Sequence, residues 1–252
     1  AFINPGFTFC HLYNPGSEGV FNIDIDGNGT LEKVTIDADT LGPKAKRTYS
    51  AAEFFFEGHW DKLFLQGSYT WARSTGNTEG GIKSDIGQAD TGTTQDFDYR
   101  ELMLGADGPL PNDRKHTLKV FGNYELNDQW SIGGNLLVQS GRPINCFGVY
   151  GNDPLHYGAS YFSCSDAPGT DADGDGVLDN GTALVPRGSA GRTPWQRQLD
   201  LNVAWKPAFA AGHLTLKLDV FNVFNSRTVT SVVETAETGQ GSSLYDTVYK
   251  IP

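Results

Sequence analysis

HTLKVFGNYELNDQWSIGGNLLVQ, residues 116–139, alternates apolar and polar residues almost from end to end. Leu118, Val120, Gly122 and Tyr124 fall on one face, and Thr117, Lys119, Asn123 and Glu125 on the other. After a short turn at Asn127 to Gln129, Ile132, Gly134, Leu136 and Val138 take up the apolar face, with Ser131, Asn135 and Gln139 opposite. A period of two sustained on both sides of a short turn predicts a β-hairpin.

The same pattern recurs on both sides of this hairpin. "YSAAEFFFEG" (residues 49–58) and "KLFLQGSYTWAR" (62–73) meet at a turn around His59 to Asp61, and "QRQLDLNVAW" (196–205) and "HLTLKLDVFNVFN" (213–225) meet through "KPAFAAG". Alternation alone fits any antiparallel sheet with one wet face, so the connections decide between architectures. The turns near residues 59, 128 and 209 are short. Ser74 to Asp113 and Ile144 to Pro194 instead run about 40 to 50 residues with no clear pattern of their own, well beyond what compact domains use. Short and long connections alternate strictly, so every long loop leaves the sheet at the same end.

Strand length agrees. Several segments alternate for about 10 to 13 residues, against about 5 to 6 in soluble sheets, and at a tilt near 40° such strands rise roughly 25 to 30 Å. Lys119, Glu125, Asp200, Lys217 and Asp219 all fall on the polar face. Tyr69, Trp71, Tyr124, Trp130, Trp195 and Trp205 lie toward strand ends, where an interfacial aromatic girdle belongs. The expected fold is all-β: about six long strands forming a section of an antiparallel transmembrane β-barrel, with short periplasmic turns and long extracellular loops.

Composition removes other classes. The net charge is −11, from 30 acidic and 19 basic residues, and such a chain lacks the basic surface that nucleic acid needs. No apolar run reaches about 18 residues, so no transmembrane helix is expected, but a barrel needs only alternate residues to be apolar. The motifs GxSxG, HExxH and GxxxxGK[ST] are absent, and His11, His59, His116, His156 and His213 are well separated; no catalytic residue is assigned and an enzyme is not expected. "LVPRGS" (184–189) spells a familiar engineered protease site but runs directly into "GRTPW" and reads as native. Cys146 and Cys164 could close one loop as a disulfide or remain buried thiols, and Cys10 is left over.

Two acidic stretches carry the spacing of a calcium loop, in which oxygen ligands stand at positions 1, 3, 5, 7 and 9 and glycine at 6. Asp171, Asp173, Asp175, Val177 (through its carbonyl) and Asp179 fill those positions around Gly176, and Asp24, Asp26, Asn28, Thr30 and Glu32 do so around Gly29. Position 12 is Thr182 in one loop and Thr35 in the other, so the bidentate ligand is missing and any Ca2+ affinity is low. The competing reading is an acidic turn whose Asp side chains cap their own backbone.

Several short motifs, taken in order, add a family resemblance. "GNTEGGIKSD" (76–85), "TQDFD" (94–98), "LPNDRKH" (110–116), "QSGRPIN" (139–145), "PRGSAGRTPW" (186–195) and "LDVFNVFN" (218–225) resemble the C-terminal barrel region of TonB-dependent outer-membrane receptors, in particular the Oar-like (OmpA-related) subgroup. The resemblance implies a 22-stranded barrel with an N-terminal plug, embedded in outer-membrane lipid and lipopolysaccharide. It further implies active uptake of an extracellular ligand driven by the TonB complex, and an outer-membrane location in a Gram-negative bacterium. Residues 1–252 then correspond to a fragment without the plug, the TonB box or the terminal strand, because six strands with open edges cannot close a barrel. Two alternatives stay open: a secreted calcium-dependent β-sandwich adhesin or carbohydrate-binding module, and a passive porin.

Overall fold

The computed structural model of the chain describes residues 15–40, 42–150, 157–165, 182–235 and 250–251. A short hairpin, β1 (Gly19–Ile23) and β2 (Glu32–Ile36), precedes the long strands β3 (Arg47–Trp60) and β4 (Leu63–Gly76). The short β5 (Gly108–Pro109) leads to β6 (His116–Glu125) and β7 (Trp130–Gln139). Next come β8 (Phe147–Gly148), β9 (Tyr161–Ser165) and β10 (Thr182–Leu184), followed by β11 (Gln196–Trp205) and β12 (Leu216–Val220). A last small pair joins β13 (Ser231–Val232) to β14 (Lys250–Ile251).

All six segments marked by alternation become neighbours in one antiparallel sheet, ordered β12-β11-β7-β6-β4-β3, with β5 added against β4. The expected strand over residues 213–225 is cut short, because β12 ends at Val220. Asn222 takes a left-handed φ of 51°, a conformation that Asn tolerates better than most residues. Its N–H donates to Asp200 Oδ1 (2.8 Å) and its Oδ1 accepts from the Ser226 N–H (2.9 Å). "FNVFN" therefore interrupts the ladder at Asn222, although the Val223 N–H still donates to the Leu199 carbonyl of β11 (2.7 Å).

Register turns the alternation into two continuous faces. Across the sheet, Phe56 pairs with Gly67, Gly67 with Val120, Val120 with Leu136 and Leu136 with Leu199. Two residues nearer the short turns, Gly58, Leu65, Gly122, Gly134, Leu201 and Val220 form the next row, and Trp60, Leu63, Tyr124, Ile132, Val203 and Leu218 the one after. On the opposite face Glu57, Gln66, Phe121, Asn135 and Asp200 share a row. Gly67 leaves room for the Phe56 ring that covers it, since a Cβ there would lie 2.3 Å from that ring and push it aside, an aromatic roof over a backbone gap.

The apolar face is bare: Phe54 is 64% exposed, Trp60 58% and Leu218 65%. A soluble domain does not leave rows of such side chains in water. A β-sandwich would bury this face under a second sheet, so the adhesin alternative is overturned. Trp130 stacks on Trp205 at 5.6 Å at the short-turn end, and His116 on Trp195 at 5.8 Å at the other, giving the sheet its two aromatic margins.

The long connections carry more structure than their sequence announces. The 3-10 turn Arg100–Met103 and the sheet β10-β9-β8 pack around Met103, Ala106, Phe147 and Phe162, with Phe97 against them. Within the second connection the Val185 N–H donates to the Phe162 carbonyl (2.9 Å), and the Arg187 N–H donates to the Gly105 carbonyl (2.8 Å) of the first, which ties the two connections together. A disulfide joins Cys146 to Cys164, with Cα atoms 5.6 Å apart. The chain enters β3 at this same end, where the Lys46 N–H donates to Asn77 Oδ1 (2.8 Å).

Candidate functional site

The long connections form a cap at one end of the sheet, and its interior is unusually rich in charge. Lys83 and Asp96 both lie in the first connection. Lys83 Nζ stands 3.1 Å from Asp96 Oδ1, with both side chains 1% exposed, and also sits 5.3 Å from the centres of the Phe147 and Phe162 rings. An ammonium over two ring faces gains cation–π attraction that grows as water is removed.

Arg187, from the second connection, reaches back into the first. Its Nη1 donates to Asp85 Oδ2 (2.7 Å), its Nε to the Ala106 carbonyl (2.8 Å), and its guanidinium lies 4.7 Å from the Phe162 ring centre. Two further pairs ring the strand ends. Arg192 bonds Asp113, which also accepts the Ser74 N–H (2.6 Å), and Arg142 bonds Glu234, which also accepts the Asn145 N–H (2.8 Å). Each acid is thereby tied to a strand end and to a partner loop.

Burial pushes the Asp85 carboxyl up to about 7, against the opposing pull of Arg187. Burial also raises Glu234, against Arg142 and the Asn145 N–H. For Asp85 the folded state keeps a proton that the unfolded chain releases near the ordinary value of 3.8, so cap stability falls as pH rises from about 4 through about 7. In urea at pH 5 and pH 8, the cap, followed by a fluorophore on Ile86→Cys, is expected to open at lower urea at pH 8. Asp85→Asn removes most of that difference; an unchanged difference would show that another group sets it.

The residues proposed from sequence fall elsewhere. Asp24, Asp26, Asn28 and Thr30 lie in the bend joining β1 to β2, and Glu32 opens β2. Asp24 Oδ1 accepts the Gly27 and Asn28 N–H groups (2.7 and 3.0 Å), Asp24 Oδ2 accepts that of Gly29 (2.7 Å), and Glu32 Oε2 accepts that of Ile25 (3.0 Å). Among the described residues no three His, Cys, Asp or Glu side chains gather closely enough to hold a metal. Asp171, Asp173, Asp175, Val177 and Asp179 lie outside the described residues. His116, near Asp113 in sequence, instead meets the Tyr69 hydroxyl at 2.7 Å through Nδ1.

The charges of the cap's buried pairs lie, all but one, within the short motifs, whose sequence does not show how they pair. Lys83 and Asp85 sit in "GNTEGGIKSD", Asp96 in "TQDFD", Asp113 in "LPNDRKH", Arg142 in "QSGRPIN" and Arg187 and Arg192 in "PRGSAGRTPW". The available signal was charge held within Gly- and Pro-rich turns, where a solvated loop has no need of it.

An antiparallel sheet with a bare apolar face, aromatic margins and long loops at one end defines a membrane-spanning β-barrel segment of the outer-membrane class. The chain belongs to the outer membrane beta barrel domain family, whose model matches residues 35–247. It is also 33% identical over 180 residues to the TonB-dependent transporter Oar of Myxococcus xanthus, covering 69% of this chain and 15% of that protein's length. No solved structure matches it. The chain is thus an Oar-like outer-membrane barrel region.

Proposed function

We propose that this barrel region serves active, TonB-driven uptake of an extracellular ligand, with the cap as the part the ligand meets first. The reading rests on the likeness to a transporter named as TonB-dependent. The cap supports it, because loops locked by buried ion pairs present a fixed surface at one end of the sheet. A fixed surface lowers the ordering cost of binding. The proposed role is non-enzymatic: binding and passage.

The reading separates from the passive-porin alternative by experiment. Full-length protein is expected to retain the periplasmic domain of TonB on an affinity column and to show no steady conductance in a planar bilayer. Steady conductance without TonB retention would establish the porin.

Calcium is a separate proposal, supported by ligand spacing at Asp171 to Asp179 and at Asp24 to Glu32. At the latter, binding requires the acidic side chains to draw closer together than they lie. Weak calorimetric heats, with Kd around 10⁻⁴ to 10⁻³ M, are expected from the parent and are expected to shrink in Asp173→Ala/Asp175→Ala and in Asp24→Ala/Asp26→Ala. Heats identical to the parent in both variants would remove the proposal.

A further inference from the structure

Lys83 is fully buried in the cap, where a lysine is rare unless its charge is well paired. Its partner is close but badly aligned: Nζ stands 3.1 Å from Asp96 Oδ1, yet neither atom makes a hydrogen bond to the described residues. An ammonium carries three donors, and none of them is placed here. The arginines of the cap differ, since Arg187, Arg192 and Arg142 each donate to their acids. For Lys83 and Asp96, charge attraction alone has to offset the hydration that both groups lose.

The same geometry suits a reaction between the two groups. Nζ lies 5.3 Å from the centres of the Phe147 and Phe162 rings, both fully buried, so the site is dry. The Lys83 backbone is fixed by reciprocal bonds with Gln88, each 3.1 Å. Asp96 is held through its other oxygen, since the Thr78 hydroxyl donates to Oδ2 (3.1 Å). Amine and carboxyl are thereby presented within the roughly 3 to 3.5 Å of groups set to react, and Oδ2 already has the donor that a developing oxyanion needs. The interior favours uncharged groups, as the rise of the Asp85 carboxyl to about 7 through burial shows.

We infer that Lys83 and Asp96 condense into an intramolecular amide that covalently closes residues 83–96 of the cap. Lys83 passes one proton to Asp96 Oδ1 and, as the neutral amine, attacks Asp96 Cγ. The Nζ–Cγ bond forms, the Cγ–Oδ1 bond breaks, and Oδ1 departs as water with the transferred proton and a second one from Nζ. Oδ2 stays as the amide oxygen and keeps its bond from Thr78. No oxidant and no further reactant is consumed.

Holding the partners in place supplies effective molarities of about 10⁵ to 10⁸ M, and a dry site withholds the water that would reverse the step. The product also removes the unplaced groups: Oδ1 is gone, and the nitrogen keeps one hydrogen in place of three. The rings that faced the ammonium then pack against an uncharged link. With the Cys146–Cys164 disulfide in the second long connection, each connection carries one covalent brace.

The test is the peptide mass of full-length protein purified from outer membranes. Trypsin cuts after Arg73 and Arg100 but not after an acylated lysine, so residues 74–100 are expected as one peptide, lighter than its sequence by one water. A second digestion after Asp85 and Asp90 is expected to leave the Lys83 and Asp96 pieces joined. Lys83→Arg and Asp96→Ala are each expected to restore cleavage after residue 83 and the full sequence mass. The parent's own mass decides the matter even where a variant does not fold. Parent peptides at full mass, cut after Lys83, would overturn the proposal. So would a light peptide whose pieces separate in the second digestion, because an aspartyl succinimide, and not Lys83, would then account for the lost water.

Discussion

Val120→Arg is expected to destabilise the full-length protein in lipid vesicles by about 2 to 4 kcal/mol, the cost of a basic side chain on the lipid face near mid-depth. Val120 pairs with Gly67 and Leu136 in the central row of the apolar face, midway between the Trp60–Leu63 row and the Trp71–His116 row. Asn135→Arg, at similar depth but on the polar face opposite Asp200 and Phe121, is expected to change stability by less than about 1 kcal/mol. Urea midpoints of both variants in vesicles check the contrast. Equal losses at the two positions would mean that the faces do not see different solvents.

Arg187→Met is expected to open the cap at a cost of about 3 to 5 kcal/mol at pH 8, the usual consequence of stripping one partner from a buried ion pair. The side chain is fully buried and supplies the Asp85 pair, the bond to the Ala106 carbonyl and the contact with the Phe162 ring. Asp85 Oδ1, Lys83 Nζ and Asp96 Oδ1 make no hydrogen bond to the described residues. The cluster therefore depends on charge attraction, and removing one ion leaves another exposed to a dry interior. At pH 5 the loss is expected to be smaller, because Asp85, raised to about 7, then holds its proton. Arg187→Met/Asp85→Leu is expected to recover much of the stability, since an apolar pair can replace a buried ionic one. Hydrogen exchange of the amides of residues 83–106 reads all three, and equal protection of Arg187→Met and parent at pH 8 would contradict the role given to the pair.

The sheet was legible in the chain because lipid and lumen impose period two on every strand. Leu118, Val120, Gly122 and Tyr124 land on the same face as Leu136, Gly134 and Ile132 through register alone. The end of β12 was not legible, because alternation continues through Phe221 and Val223 while the left-handed Asn222, held by bonds to Asp200 and Ser226, breaks the ladder. The cap was opaque for a related reason. Its order comes from pairs far apart in sequence, such as Arg187 with Asp85 and Arg192 with Asp113, and no local period records a partner about a hundred residues away. The Asp24 stretch was legible as a turn, but its carboxylate geometry was not, since spacing alone does not say whether an oxygen faces an ion or an amide.

The central claim is that one face of this sheet lies in lipid and the other does not. Nitroxide labels placed singly at positions 118 to 123 of full-length protein in vesicles, in a Cys10→Ser background, test it most directly. Collision with oxygen, which concentrates in lipid, is expected to be high at 118, 120 and 122 and low at 119, 121 and 123, with a water-soluble nickel chelate giving the opposite phase. Flat accessibility along the strand, or oxygen maxima at the odd positions, would contradict the assignment of the apolar face to the membrane.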